Sequence, residues 1–201
     1  MKLSEGFAIL ENKSIPLTPY AKVSSIEDAK KFVSKEGYPV VLKLDSTLHK
    51  TEFKGVKINL FNEEMLIKAL EDLREIAFKN NIASEFIIQK QIDGVEVIIG
   101  LKKDPIFGKV VLLGSGGILT EILKDISFRV VPVTKKDIKQ MVEEISANKL
   151  LEGYRGSKAV NLNKLVDIIL KIQKLNYSEI DLNPVILNEK GAFVVDVRLI
   201  S

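Results

Sequence analysis

The chain of 201 residues contains no cysteine, no tryptophan and a single histidine, His49. Without thiols it can build no disulfide framework and offer no thiolate metal site. One imidazole excludes a histidine-rich zinc or iron centre within this chain. An excess of one charge is lacking too: 30 lysines and arginines face 27 acids, for a formal net charge of +3. The basic residues are interleaved with acidic ones, so nucleic acid is not an expected partner. No apolar run approaches the ~20 residues that a membrane-spanning helix needs. Glu5 interrupts what would be the apolar core of a secretion signal in "MKLSEGFAILENKS", so a cytoplasmic protein with no membrane partner is expected. Two phosphate-binding signatures are missing as well. "GSGGIL" does not meet the G-x-G-x-x-G pattern between a strand and a helix, and no glycine-rich loop ends in Gly-Lys-Ser or Gly-Lys-Thr.

What is present is an ordinary globular composition, 46% apolar and 28% charged, able to bury a real core. A short helix is expected over residues 3–11. "SSIEDAKKFVSKEG" reads as a second helix, with Ser24 as N-cap, Glu27 completing a capping box and Gly37 closing the end. "YPVVLKL" and "GVKINLF" read as paired strands with the His49 loop between them. Asn62 caps the next helix, where Leu66, Ala69, Leu70, Leu73 and Ala77 share one face. Strands are expected over 84–91, 95–103, 108–114 and 127–133, then helices over 135–146 behind Thr134 and 162–175 behind Asn161. Two closing strands, "EIDLNPVIL" and "AFVVDVRLI", are joined by the turn "NEKG". The class is α+β: a smaller lobe of about 20–88 and a larger one of about 89–201 that takes the N-terminal helix.

Four clusters carry chemistry. In the first, Lys43 on a strand is followed by His49, Lys50, Lys54 and Gly55. Cations and glycine N–H groups there suit phosphates, but the same lysines also suit a solvated turn, and His49 reads as a surface residue, a metal ligand or a nucleophile. In the second, "QKQIDGVE", Glu96 follows an Asp93-Gly94 turn whose pattern favours an ordinary hairpin. A carboxylate there beside exposed backbone also suits ribose hydroxyls and a purine edge. The third, "LLGSGGILTEILKD", sets Gly116 and Gly117 at a strand end, with Arg129 beyond; such glycines bind an anion or simply turn the chain. The fourth is the most specific. Asp181 and Asn183 lie two apart on a strand and so share a face, with Asp196 expected on the adjacent strand in an apolar neighbourhood. A carboxylate there is costly unless paired, and oxygen ligands from two strands suit Mg²⁺.

Together these residues resemble the ATP-grasp fold, and more closely the beta subunit of ADP-forming acyl-CoA (acetyl-CoA) synthetases, relatives of succinyl-CoA synthetase. The resemblance runs through "IPLTPYAKVSSIEDA", "GYPVVLKL", "HKTEFKGV", "DGVEVIIGLKKDPIFGKVVLLGSGGILTEILKDISFRVVP", "LLEGYRG" and "EIDLNPVI…VVDVR". It implies one ATP-grasp module with the nucleotide between its two lobes. Lys43 then matches the lysine at the nucleotide phosphates. Gln89, Lys90 and Ile92 match the hinge against the adenine, and Glu96 the acid at the ribose. Asn183 and Asp196 match the Mg²⁺ ligands, with Asp181 beside them, and His49 matches the histidine phosphorylated during transfer. After His49-Lys50 the family usually carries an aspartate and a glycine pair, where this chain reads Thr51-Glu52-Phe53-Lys54-Gly55.

The resemblance further implies ATP or ADP with Mg²⁺ as cofactors, and a hetero-oligomer with an alpha subunit that carries the CoA and acyl sites. Neutral imidazole is available near pH 7, since its unperturbed pKa is about 6.5. Lys50 and Lys54 then serve to stabilise the phosphorylated ring. Two other readings stand beside this one: a free-standing ATP-grasp carboxylate–amine ligase, and a nucleotide-sensing module without turnover.

Overall fold

The computed structural model describes residues 1–46, 55–117, 125–153 and 158–201. His49, Lys50 and Lys54 lie outside the described residues. The chain divides into two compact units, Met1–Ala8 with Leu17–Ile92, and Ile9–Pro16 with Asp93–Ser201. Helix α1 (Leu3–Asn12) runs through the first of these divisions.

In the first unit an antiparallel sheet has the order β1 (Tyr20–Val23), β4 (Phe86–Lys90), β2 (Val40–Leu44), β3 (Val56–Leu60). Helices α2 (Ile26–Glu36) and α3 (Glu63–Lys79) pack on it. The expected face of α3 is the buried one: Leu66, Ala69, Leu70, Leu73 and Ala77 join Val40, Leu42, Leu44, Phe86 and Ile88 in one core. Each such leucine contributes about 1.5–3 kcal/mol by leaving water. Asn62 caps α3 by accepting from the Met65 N–H. Helix α2 is capped one residue later than expected. Ser25, not Ser24, accepts from the Asp28 N–H, while the Asp28 carboxylate reaches back to the N–H and hydroxyl of Ser24. "SSIED" offers two overlapping capping frames, and the packed helix uses the second.

Strand β1 was not legible, because four residues behind a proline carry no alternation that can be counted. It forms through pairing with β4, Tyr20 opposite Gln89. The β2–β3 ladder contains a bulge between Val40 and Leu42. There Asn59, at φ 58°, turns its N–H to the Gln91 side chain, which donates back to the Asn59 amide oxygen at 2.6 Å.

The second unit is built on a six-stranded antiparallel sheet. Its main path is β10 (Arg198–Ile200), β8 (Glu179–Asn188), β5 (Val95–Asp104), β6 (Gly108–Ser115), β7 (Ile126–Val130), and β9 (Gly191–Val194) also pairs with β8. Helices α4 (Lys135–Glu144) and α6 (Leu162–Ile172) pack against this sheet and each other, with the short α5 (Asn148–Leu151) between them. Thr134 and Asp137 form a reciprocal capping box at α4. That helix stops at Glu144, short of the expected 146, because the Ser146 N–H donates to the Asp125 carboxylate. Asn161 precedes α6 without a side-chain cap bond.

The Asp93-Gly94 turn does not make the hairpin its sequence favours. Strand β4 pairs with β1 and β2, and β5 pairs with β6 and β8 in the other sheet. Among the described residues no helix is long and apolar enough to cross a membrane.

Candidate functional site

The larger sheet has one helix-covered face and one open face, and the alternation of β5 and β8 decides which side chains reach the open one. Val97, Ile99 and Leu101 are buried, so Glu96, Ile98, Gly100 and Lys102 point the other way. On β8, Ile180 and Leu182 are buried, which turns Glu179, Asp181 and Asn183 outward. Register brings the two sets together: Gly100 lies opposite Asp181, and Lys102 opposite Glu179. Glu96, Asp181 and Asn183 therefore share the open face. An open depression of ≈ 660 Å³ lies on this face, over Ile98, Gly100, Val110, Leu112, Phe128 and Asp181. Gly100 deepens it, and a glycine inside a strand pattern is the sequence signal for such a feature.

Asp196 is not on a strand, contrary to expectation. Between Val97 and Ile99 of β5, strand β8 carries an extra residue, so its inward positions jump from Leu182 to Val185. Beside this bulge the last part of the chain loses its pairing. Strand β9 pairs with residues 185–188 and β10 with 179–181, leaving 195–197 opposite the bulge. The half-buried Asp196 sits in that break, its Oδ1 accepting from the Val197 N–H at 2.8 Å. A bulge that re-aims side chains beside a strand interruption thus places Asn183 and Asp196 at one level of the sheet.

The electrostatics agree with that placement. Burial, then the negative charges of Glu179 and Asp196, push the Asp181 carboxyl above the ordinary aspartate range, against a smaller opposing pull from Arg198. Glu179 is a member of this group that sequence reasoning missed, although its spacing from Asp181 signals the shared face. A raised folded-state pKa favours folding below the unfolded value near 3.9, and the contribution is lost as pH rises through the folded value. Ionised Asp181 therefore opposes folding near neutrality. In EDTA at pH 7, Asp181→Asn is expected to raise the melting temperature, with the gain shrinking as the pH is lowered towards 4. An unchanged melting temperature at pH 7 would refute the account of a carboxylate penalised by burial and by the neighbouring negative charges.

Among the described residues no three Asp, Glu, His or Cys side chains group as a metal cage. The donors in this part of the sheet are oxygens: the Asp181 carboxylate, which feels the charge of Asp196, and the Asn183 amide two residues further along β8. A hard cation that keeps few protein ligands and takes the rest from phosphates and water fits such a set.

The remaining expected residues are distributed as follows. In the first unit Lys43 and Gln89 lie on the sheet face turned away from α2 and α3, at 6% and 2% exposure. The Gln89 Nε2 donates to Thr18 Oγ1 at 3.1 Å, and its Oε1 is buried without a hydrogen-bond partner. Lys90 is on the opposite face, where its ammonium donates to the carbonyls of Tyr38 and Gly37 at 2.6 and 3.2 Å. Ile92 follows β4 and is half-buried. Gly55 is buried, and its carbonyl accepts from the Leu44 N–H at 2.9 Å.

In the second unit the Gly116 N–H donates to the Glu96 carbonyl at 2.8 Å, and Gly117 turns at φ 72°. Arg129 lies on the helix-covered side. There it forms a two-point pair with Glu144 at 2.5 and 3.1 Å, which holds the Glu144 carboxyl below its ordinary range. So Glu96, Asp181, Asn183 and Asp196 are brought to one region of the second unit, Lys43 and Gln89 to one face of the first, and Arg129 and Lys90 point elsewhere.

The family model for the ATP-grasp domain matches residues 1–200. The chain is 41% identical to the subunit beta of acetate–CoA ligase (ADP-forming) I of Pyrococcus furiosus, over 98% of this chain and 89% of the relative. It is 36% identical to acetate–CoA ligase (ADP-forming) I of Archaeoglobus fulgidus, where 98% of this chain corresponds to only 30% of that longer protein. Among solved structures, the dinucleotide-forming acetyl-coenzyme A synthetase 1 of Ca. Korarchaeum cryptofilum is 36% identical. Its complex with coenzyme A, Ca-AMPCP and HgCl+ gives a TM-score of 0.88 over 100% of this chain and 92% of that one. Its complex with coenzyme A and Mg-AMPPCP, with the phosphohistidine segment pointing towards the nucleotide binding site, gives 0.79 over 98% and 91%. The chain belongs to the ATP-grasp family and, within it, to the group of the beta subunits of ADP-forming acetate–CoA ligases.

Proposed function

We propose that this chain is the nucleotide-binding subunit of an ADP-forming acyl-CoA synthetase in the cytoplasm. With a separate alpha subunit carrying the CoA and acyl sites, it converts an acyl-CoA, ADP and phosphate to the acid, CoA and ATP. Its two units serve as the smaller and larger lobes of one ATP-grasp module. The observation that carries this reading is the near full-length likeness to separate beta subunits, supported by the outward placement of Asp181 and Asn183 on the open face of the larger sheet.

The roles follow from the chemistry of each group. The Lys43 ammonium draws the nucleotide phosphates, and Lys50, Lys54 and Gly55 add positive charge and an N–H beside His49. Gln89, Lys90 and Ile92 form the hinge along the adenine edge, to which Lys90 brings its backbone. Glu96 accepts from the ribose hydroxyls. Asn183 and Asp196, with Asp181 beside them, hold Mg²⁺, which when bound neutralises phosphate charge. In the step on this chain an ADP β-phosphate oxygen forms a bond to the phosphorus of phosphohistidine. The N–P bond breaks, and the electron pair stays on the His49 nitrogen. That a phosphohistidine segment points towards the nucleotide in the Korarchaeum relative supports giving His49 this part.

The test is labelling from γ-³²P-ATP. Wild type is expected to take up acid-labile, base-stable label, and His49→Ala to take up none while still binding ADP. Label of equal extent in the mutant would remove His49 from the mechanism. Nucleotide binding with no label in either protein, even with the alpha subunit present, would point to a sensing module.

A further inference from the structure

Strand β5 enters the larger sheet between two glycines that leave no room for a side chain. A Cβ on Gly116 would stand 2.4 Å from the Cβ of Glu96 and 2.6 Å from its carbonyl carbon. The Gly116 N–H is already used, donating to the Glu96 carbonyl at 2.8 Å. One residue on, a Cβ on Gly117 would stand 3.7 Å from the Glu96 Oε2, so the carboxylate itself lies over this turn. Two residues before Glu96, a Cβ on Gly94 would stand 2.3 Å from the Leu187 carbonyl oxygen on the other flank. Close approach thus fixes the chain at Glu96 itself, against Gly116, and two residues earlier at Gly94, against Leu187. Nothing flexible intervenes that could absorb a displacement.

We propose that Gly116 is a positioning residue for Glu96: its missing side chain lets the end of β6 seat against the Glu96 backbone and so sets where that carboxylate stands. The "GSGG" stretch then serves the nucleotide through an acid on the neighbouring strand, and the Gly116 N–H is not an anion donor. This rests on the reading of Glu96 as the group that accepts from the ribose.

The experiment is equilibrium binding of ADP and of 2′,3′-dideoxy-ADP, which lacks both ribose hydroxyls. Wild type is expected to prefer ADP by roughly tenfold, the worth of hydrogen bonds to a charged acceptor. Glu96→Gln is expected to remove most of that preference. Gly116→Ala is expected to remove it equally, with dideoxy-ADP affinity unchanged, and Glu96→Gln with Gly116→Ala together to lose nothing further. A merely structural role would weaken both ligands alike.

Gly116→Ala protein that is folded and keeps the wild-type preference overturns the proposal, as does a double variant whose losses add. Should Gly116→Ala not fold, Ser115→Ala loosens the same strand end without adding a Cβ. It removes the hydroxyl that bonds Asp125 and accepts from the Ala147 N–H, and the preference is expected to fall by about threefold. Full retention there is equally fatal. If wild type itself shows no preference for ADP over dideoxy-ADP, the ribose reading of Glu96 has failed, and the role of Gly116 with it.

Discussion

Asp196→Asn is expected to slow phosphoryl transfer between ATP and His49 by roughly 10²–10³-fold, while ADP binding in EDTA stays within about twofold of wild type. The amide replacement is chosen because its oxygen can still accept from the Val197 N–H, so the break between β9 and β10 keeps its local bond. What it removes is charge. On the proposed assignment a divalent cation keeps the Asn183 amide and the Asp181 carboxylate but loses the Asp196 charge, and among the described residues no three Asp, Glu, His or Cys side chains group to replace it. The decisive readout is therefore the gain in ADP affinity on adding Mg²⁺, large in wild type and nearly absent in the variant. A variant whose ADP affinity rises with Mg²⁺ as much as wild type would show that Asp196 does not hold the metal.

Gly94→Ala is expected to destabilise the protein by about 3 kcal/mol, a fall of roughly 6–12 °C in melting temperature for a chain of this size. The added methyl would meet the Leu187 carbonyl oxygen at 2.3 Å, the Ile186 Cγ2 at 2.8 Å and the Leu187 carbonyl carbon at 2.9 Å. Two of these three are main-chain atoms of a paired strand, so relief requires moving β8 or the entry of β5. Gly100→Ala, inside β5, is the comparison. Its Cβ would meet Leu112 Cβ at 3.5 Å, an ordinary contact, and it points into the open depression. That substitution is expected to stabilise by less than about 1 kcal/mol, because alanine loses less backbone freedom than glycine on entering a strand and meets only ordinary contacts here. Equal melting temperatures for the two variants would contradict the steric account of Gly94.

Helix α3, strands β2 to β6 and the Thr134 cap were legible because each signal is local. Apolar residues at helical spacing, a capping residue before them and a strand of β-branched side chains state their structure without reference to the rest of the chain. The Ser24–Glu27 frame failed for the same reason, since two capping patterns one residue apart are locally equivalent and packing chooses between them. Asp93-Gly94 failed more sharply. A two-residue turn of this type ordinarily closes a hairpin, but here the strands on either side pair in different sheets. Short pieces such as β1 and α5 exist only through their partners.

Residue types alone suggested one part of the candidate site. An oxygen-rich "EIDLNPV" on an alternating strand pointed to hard-cation chemistry, whereas the lysine on an apolar strand and the lone histidine in a basic segment stayed open between a solvated surface and phosphate binding until the family resemblance was added. Which of these groups share a face depended on the fold, because that outcome is set by register across strands far apart in sequence. Gly100 opposite Asp181 turns β5 and β8 the same way, and the extra residue after Asn183 opens the gap that receives Asp196. Arg129 shows the converse: one position along β7 sends it to Glu144 on the helix side. Chemistry is written residue by residue, whereas direction belongs to the ladder, and a ladder has no meaning until both of its strands are in place.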